Sequence, residues 1–148
     1  MSPVFSTRMA SKNQVLFTII FLSIIGLAVS GYLVKHHYDL LGQSFCDINN
    51  VVSCTTVNTS VYSELFRIPV AAFGVLWYIA LIAVAVLLWR GSPLQIVLLS
   101  LSVAGLLFVG YLVTAEILLN AFCILCTITH VIAVVITLLA IRLYRKKS

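Results

Sequence analysis

Apolar residues in this chain gather into four long runs, separated by two short polar stretches and one long one. The runs cover about 15–34, 69–89, 94–119 and 122–143. Each holds roughly 20 residues or more, enough for a helix to cross ~30 Å of hydrocarbon. The third is the longest and is expected to tilt or to emerge at one end. Pro69 and Pro93 open their runs, where a missing backbone N–H costs little. Gly91-Ser92-Pro93 reads as a tight turn. The long polar stretch runs from Lys35 to Ile68. Within it, Thr55 to Phe66 reads as a short amphipathic helix lying over the mouth of the bundle, with Val57, Val61, Leu65 and Phe66 toward the membrane. An ordinary polar loop fits the same pattern nearly as well. The predicted fold is an all-α membrane protein. It is a four-transmembrane-helix bundle with a long outer loop between helices 1 and 2, forming a single domain over 1–148.

Composition agrees: 62% of residues are hydrophobic and 9% are charged. No soluble domain of this length hides so much apolar surface. The net charge of +5 does not point to nucleic acid, because the basic residues are few and flank the apolar runs. They set orientation instead. Arg8, Lys12, Arg90, Arg142, Arg145, Lys146 and Lys147 fall on one side of a four-span bundle. The other side holds Lys35 and Arg67, together with Asp39, Asp47, Glu64 and Glu116. The positive-inside rule makes the first side cytoplasmic, termini included. A cleaved signal peptide is disfavoured, since the first run exceeds the ~7–15 residues of an h-region.

All four cysteines then lie at or near the outer face. Cys123-Ile124-Leu125-Cys126 opens the fourth run. A C-x-x-C pair cycles between dithiol and disulfide, and a helix N-terminus stabilises a thiolate. Cys126 lies about one turn deeper than Cys123, where it can meet a lipid-soluble oxidant while Cys123 meets loop thiols. Cys46 and Cys54 lie in the long loop with seven residues between them. They could form a structural staple, but a second pair on the same face favours a relay by disulfide exchange. Zinc is disfavoured, because only one pair has the close spacing of a four-cysteine site. No metal is expected.

His130 lies one turn beyond Cys126 on the same helix face. An ionisable residue in a span is a functional candidate, here for hydrogen bonding a quinone or relaying a proton. Phe73, Trp77 and Tyr111 are candidates for an aromatic pocket. Glu116 reads most simply as interfacial, as do His36 and His37.

These residues resemble the vitamin K epoxide reductase family. The resemblance rests on Cys46-Asp47, Cys54, Ser60, Ile68-Pro69, Phe73-Gly74, Trp77-Tyr78 and Cys123-Ile124-Leu125-Cys126, in that order. It covers about 15–143 and looks closer to the prokaryotic branch. It implies a four-helix bundle holding a quinone near the outer face. It implies that Cys123 and Cys126 form the quinone-side pair, with Cys126 next to the quinone. It also implies that Cys46 and Cys54 carry electrons from a thioredoxin-like partner, and that Ser60 lies near quinone and cysteines. His130 stands where vertebrate members carry Tyr, and Val70 where they carry a substrate-binding Asn. Both differences point away from vitamin K epoxide and leave quinone reduction intact.

The expected function is therefore a membrane thiol–disulfide oxidoreductase that supports disulfide bond formation. Its cofactor is a quinone of ubiquinone, menaquinone or vitamin K type. Many bacterial members carry a fused thioredoxin-like domain. With the chain ending at Ser148, the expected partner is a thioredoxin-fold, DsbA-like protein in trans. The expected location is a bacterial or archaeal cytoplasmic membrane. A DsbB-like oxidase is disfavoured because that family places its C-x-x-C pair before the spaced pair. Vitamin K epoxide reduction of the ER type and a non-enzymatic membrane protein with structural disulfides are the remaining alternatives.

Overall fold

A computed structural model describes residues 3–39, 45–49 and 51–147. The side chains of Arg8 and Lys147, two of the charges used to orient the chain, lie outside the described part. The long helices are α1 (Pro3–Tyr38), α3 (Val70–Trp89), α4 (Gln95–Leu119) and α5 (Ile124–Lys147). All four are long and apolar enough to cross a membrane, and the chain is a multi-pass membrane protein. α1 starts well before the apolar run it contains. Its polar leading residues, Ser11 to Gln14 among them, include no helix breaker, so backbone hydrogen bonding continues past the point where hydrophobicity stops.

Each helix end has a local cause. α3 starts behind Pro69, which stands at its N-cap. It ends at Trp89; two residues on, Gly91 has a φ of +100°, and the Gly91 and Ser92 N–H groups bond back to the carbonyls of Leu88 and Leu87. Glycine reaches that backbone conformation without steric cost, which is how this turn reverses the chain. α4 ends at Asn120 in the left-handed region, and the Ala121 N–H bonds back to the Glu116 carbonyl at 3.2 Å. Asn tolerates that geometry better than most side chains.

The helices form a ring in which α1 packs on α3 and α5, and α4 packs on α3 and α5. The half away from the long loop is filled. Leu16 and Ile19 of α1, Leu81 and Leu88 of α3, Leu98 of α4 and Ile136 of α5 are fully buried in one apolar cluster. The loop end is packed differently, around sulfur.

The short helix in the loop is present but smaller than the amphipathic pattern suggests. α2 spans Cys54–Asn58, followed by a 3-10 turn at Val61–Ser63 and a two-residue hairpin. Strand β1 (Glu64–Leu65) pairs antiparallel with β2 (Ile68–Pro69). Phe66 and Arg67 form the hairpin turn with positive φ at both positions, as mirror-image turns require. Val57 packs inward on the cysteines, whereas Val61 and Phe66 are exposed. The segment therefore breaks at Thr59-Ser60, where hydroxyl side chains bond their own backbone. Thr59 Oγ1 donates to Thr55 O and Ser60 Oγ to Val57 O.

Candidate functional site

Loop chemistry places the cysteines. Cys46 and Cys54 are joined in a disulfide, with Cα atoms 5.8 Å apart. Between them the Asn49 carboxamide accepts the N–H groups of Val51 (2.9 Å) and Val52 (2.8 Å), folding the loop back on itself. Ser53 caps α2 by accepting the Thr56 N–H at 3.1 Å. The Asp47 carboxylate then collects the Ser53 hydroxyl, the Thr55 N–H and the Thr55 hydroxyl. Replacing Asp47 with Ala removes every one of these acceptors. Stability should fall by about 1–3 kcal/mol, read as a lower melting temperature in detergent. An unchanged melt would mean that the carboxylate does not hold the loop.

Histidine ties this loop to α1. His37 Nδ1 lies 2.7 Å from Asn58 O, and Nε2 lies 3.2 Å from Glu64 Oε1. The Asn58 amide donates to Leu33 O at 2.8 Å. Neither His36 nor His37 lines the central cavity described below.

The two cysteine pairs meet through a backbone pairing that the sequence did not announce. Val52 and Phe122 form a parallel bridge. The Phe122 N–H donates to Val51 O at 2.7 Å, and the Ser53 N–H to Phe122 O at 3.1 Å. The residue before Cys54 is thereby hydrogen-bonded to the residue before Cys123. Cys46, Cys54 and Cys123 are buried in one cluster with Leu33, and Cys126 packs against it.

Cys123 stands just before α5. Its Sγ accepts the Cys126 N–H at 3.2 Å, so the sulfur takes the place of an N-cap oxygen. Cys123 and Cys126 are both free thiols. Hydrogen bonding from the Cys126 side chain holds the Cys123 thiol below its ordinary range, against the opposing effect of burial. A thiolate at Cys123 therefore persists at lower pH than in a free cysteine, which titrates near ~8.5.

Cys126 faces a cavity of about 330 Å³ in the loop-side half of the bundle. That size falls at the lower end of the ~300–1,000 Å³ usual for small-molecule sites. Ser60, Phe73, Trp77 and His130 also line it, so four of the five residues expected in a pocket come together here. Tyr111 does not line it. Its ring stacks on Phe108, and its hydroxyl lies 3.5 Å from Tyr62 O, one layer outside. Ser30 of α1 and Phe108 of α4 also line the cavity without any signal in the sequence, and so does Tyr78 of α3, which the sequence marks only as part of the Trp77-Tyr78 motif.

Most polar groups on this wall are already satisfied. Trp77 Nε1 donates to Leu101 O at 2.9 Å, Tyr78 Oη to Thr129 O at 3.1 Å, and Thr129 Oγ1 to Cys126 O at 2.7 Å. Two are not. Among the described residues, Glu116 Oε1 and His130 Nε2 are buried without a hydrogen-bond partner, and both residues line the cavity. Glu116 is thus not the interfacial residue its position near a helix end suggests. It is 3% exposed and packed inside the bundle. An orphaned buried polar atom is costly, so two of them on residues that line one apolar cavity mark a wall where a ligand with hydrogen-bonding groups fits.

No metal-binding cluster of His, Cys, Asp or Glu occurs among the described residues. A comparison with curated proteins found no match. The cysteine pairs pack together at one end of a bundle of four apolar helices, and the model of the vitamin K epoxide reductase family matches residues 17–141, so the chain belongs to that family.

Proposed function

We propose that this protein is a membrane thiol–disulfide oxidoreductase. It oxidises a thioredoxin-fold, DsbA-like partner through a cysteine relay and passes the electrons to a quinone, supporting disulfide bond formation. One observation carries the reading: the loop disulfide and the C-x-x-C pair pack in a single buried cluster, with Cys126 at the edge of an apolar cavity.

A reduced partner thiolate attacks the Cys46–Cys54 disulfide and leaves it as a dithiol through a mixed disulfide. The loop dithiol then reduces the Cys123–Cys126 disulfide. Backbone pairing at Val52 and Phe122 keeps the two pairs adjacent, so the exchange is intramolecular. The lowered thiol of Cys123 suits it as the sulfur that the loop addresses, since thiolate is the exchanging species.

The residues present fit a quinone. The cavity is apolar, opens beside Cys126, and is lined by two residues with unpartnered buried polar atoms, Glu116 and His130. Phe73 and Trp77 flank the ring space, and His130 offers Nε2 to a carbonyl oxygen. Ser60 lines the loop side, with its hydroxyl bonded to Val57 O. When bound, the quinone supplies a two-electron, two-proton acceptor more oxidising than a thiol couple. For two electrons, ~30 mV corresponds to about 1.4 kcal/mol, so a modest potential gap sets the direction. The positive-inside rule favours the non-cytoplasmic face for the cysteines, and the reading takes that membrane to be a bacterial or archaeal cytoplasmic membrane, whose outer face is oxidising.

The test is direct. Purified protein mixed with a reduced thioredoxin-fold protein and a soluble quinone analogue should bleach the quinone absorbance, and a variant lacking all four cysteines should not. Equal rates for the two proteins would overturn the reading.

A further inference from the structure

Thiol oxidation by a quinone moves protons as well as electrons. Closing the Cys123–Cys126 bond takes two electrons from the two sulfurs and frees two protons. The acceptor gains the same two electrons and two protons. The sulfurs and the cavity therefore need a path between them for protons, and that path has to cross an apolar wall.

Glu116 lies beside this path. It lines the cavity that Cys126 also lines, and its backbone carbonyl accepts the Ala121 N–H at 3.2 Å, two residues before Cys123. Its Oε1 is buried and has no hydrogen-bond partner among the described residues. Burying a carboxylate in an apolar wall without such a partner is costly, so the group calls for a task that bracing the start of α5 does not supply. The titratable groups facing it are Cys123, Cys126 and His130 from α5 and its flank, Tyr78 from α3, and Tyr62 from the loop. α1 faces the cavity with Ser30 and Leu33 and adds none. Tyr78 is committed to the Thr129 carbonyl.

We propose that Glu116 is the proton carrier of the site: it takes a proton released when the Cys123–Cys126 disulfide forms and delivers it to a quinone oxygen in the cavity. The idea rests on the quinone-reduction reading and adds a residue to it. In each turnover one proton passes from the dithiol to the Glu116 carboxylate and on to the acceptor oxygen, and the carboxylate returns to its starting state. His130 Nε2 is placed for the other oxygen.

Glu116→Gln tests it. The amide keeps the size and shape of the side chain but has no carboxyl group to take up and release the proton. Quinone reduction should slow roughly 10²-fold, the usual worth of a positioned acid–base group. The slowing should appear in kcat, with the quinone KM little changed, and the pH profile should flatten. Electron transfer from the reduced partner to Cys46–Cys54, followed without quinone, should keep its rate. A second readout needs no quinone. Reducing the Cys123–Cys126 disulfide should shift a carboxyl C=O band in infrared difference spectra, and the band should be missing in the variant. Glu116→Asp should recover part of the rate and the shape of the profile, and it serves alone if the amide is not tolerated. A Gln variant with the parent's kcat across pH, or no such band in the parent, overturns the proposal while leaving quinone reduction standing. Loss of both half-reactions in a folded variant makes Glu116 a structural brace and overturns it too. If the parent itself reduces no quinone, both readings fall.

Discussion

Cys126→Ala is expected to reduce quinone no faster than buffer, while its loop disulfide still accepts electrons from a reduced thioredoxin-fold protein. The two halves separate because the cysteines occupy different surroundings. Cys126 lines the cavity, whereas Cys46, Cys54 and Cys123 do not and lie buried on the loop side. Removing the cavity-facing sulfur cuts the last transfer and leaves the first intact. Alkylation trapping should catch Cys123 joined to a loop cysteine, because the thiol that would resolve that mixed disulfide is gone.

The same variant carries a second signature. The Cys126 side chain is the main group holding the Cys123 thiol down. Alanine keeps the backbone N–H that points at Cys123 Sγ but removes the thiol. Since the pKa is depressed in the parent, thiolate absorbance at Cys123 survives as pH falls below the ordinary thiol range and disappears only at the lower value. In the variant that loss should move up in pH. Thiolate absorbance that does not move, or residual quinone reduction above a tenth of the parent, would remove Cys126 from its proposed place.

Four spans and a sulfur-rich end were legible from the sequence because both depend on local facts. A run of apolar residues long enough to cross a bilayer has few other uses, and the C-x-x-C spacing carries its own chemistry. What stayed hidden depends on which distant residues meet. Glu116 sits three residues before the end of α4, a position shared by interfacial and buried side chains. Its burial follows from the Asn120-Ala121-Phe122 connection, which turns the chain back so that the Ala121 N–H bonds to the Glu116 carbonyl and the Phe122 N–H to Val51 O. The Val52–Phe122 bridge joins residues far apart in sequence, and neither has a pattern that marks it. Tyr111 shares with Phe73 and Trp77 an aromatic ring and a place in a span, but the rotation of α4 turns it outward. The stretch from Thr55 to Phe66 shows the limit of periodicity in short segments. Five residues hold a helix, and Thr59-Ser60 stops it.

Gly105→Leu is expected to bring quinone reduction to background at quinone concentrations that saturate the parent. Gly105 is buried in α4 and lines the cavity directly across from the Trp77 indole of α3. Even a Cβ at this position would overlap the indole ring. Small residues at helix crossings let membrane helices approach this closely, and lipid offers no compensating hydrophobic drive if they are forced apart. Trp77 cannot simply yield, since its Nε1–H is bonded to Leu101 O of α4 at 2.9 Å. A leucine therefore either separates α3 from α4 or breaks that bond and drives the indole into the cavity, and both outcomes remove the ring space beside Cys126. Overpacking of this kind costs about 1–3 kcal/mol, so the melting temperature should also fall, whereas exchange at the Cys46–Cys54 disulfide should continue. Pairing Gly105→Leu with Trp77→Ala separates the causes. Restored quinone reduction in the double variant would show that the indole had filled the site, and no effect of Gly105→Leu alone would show that the quinone binds elsewhere.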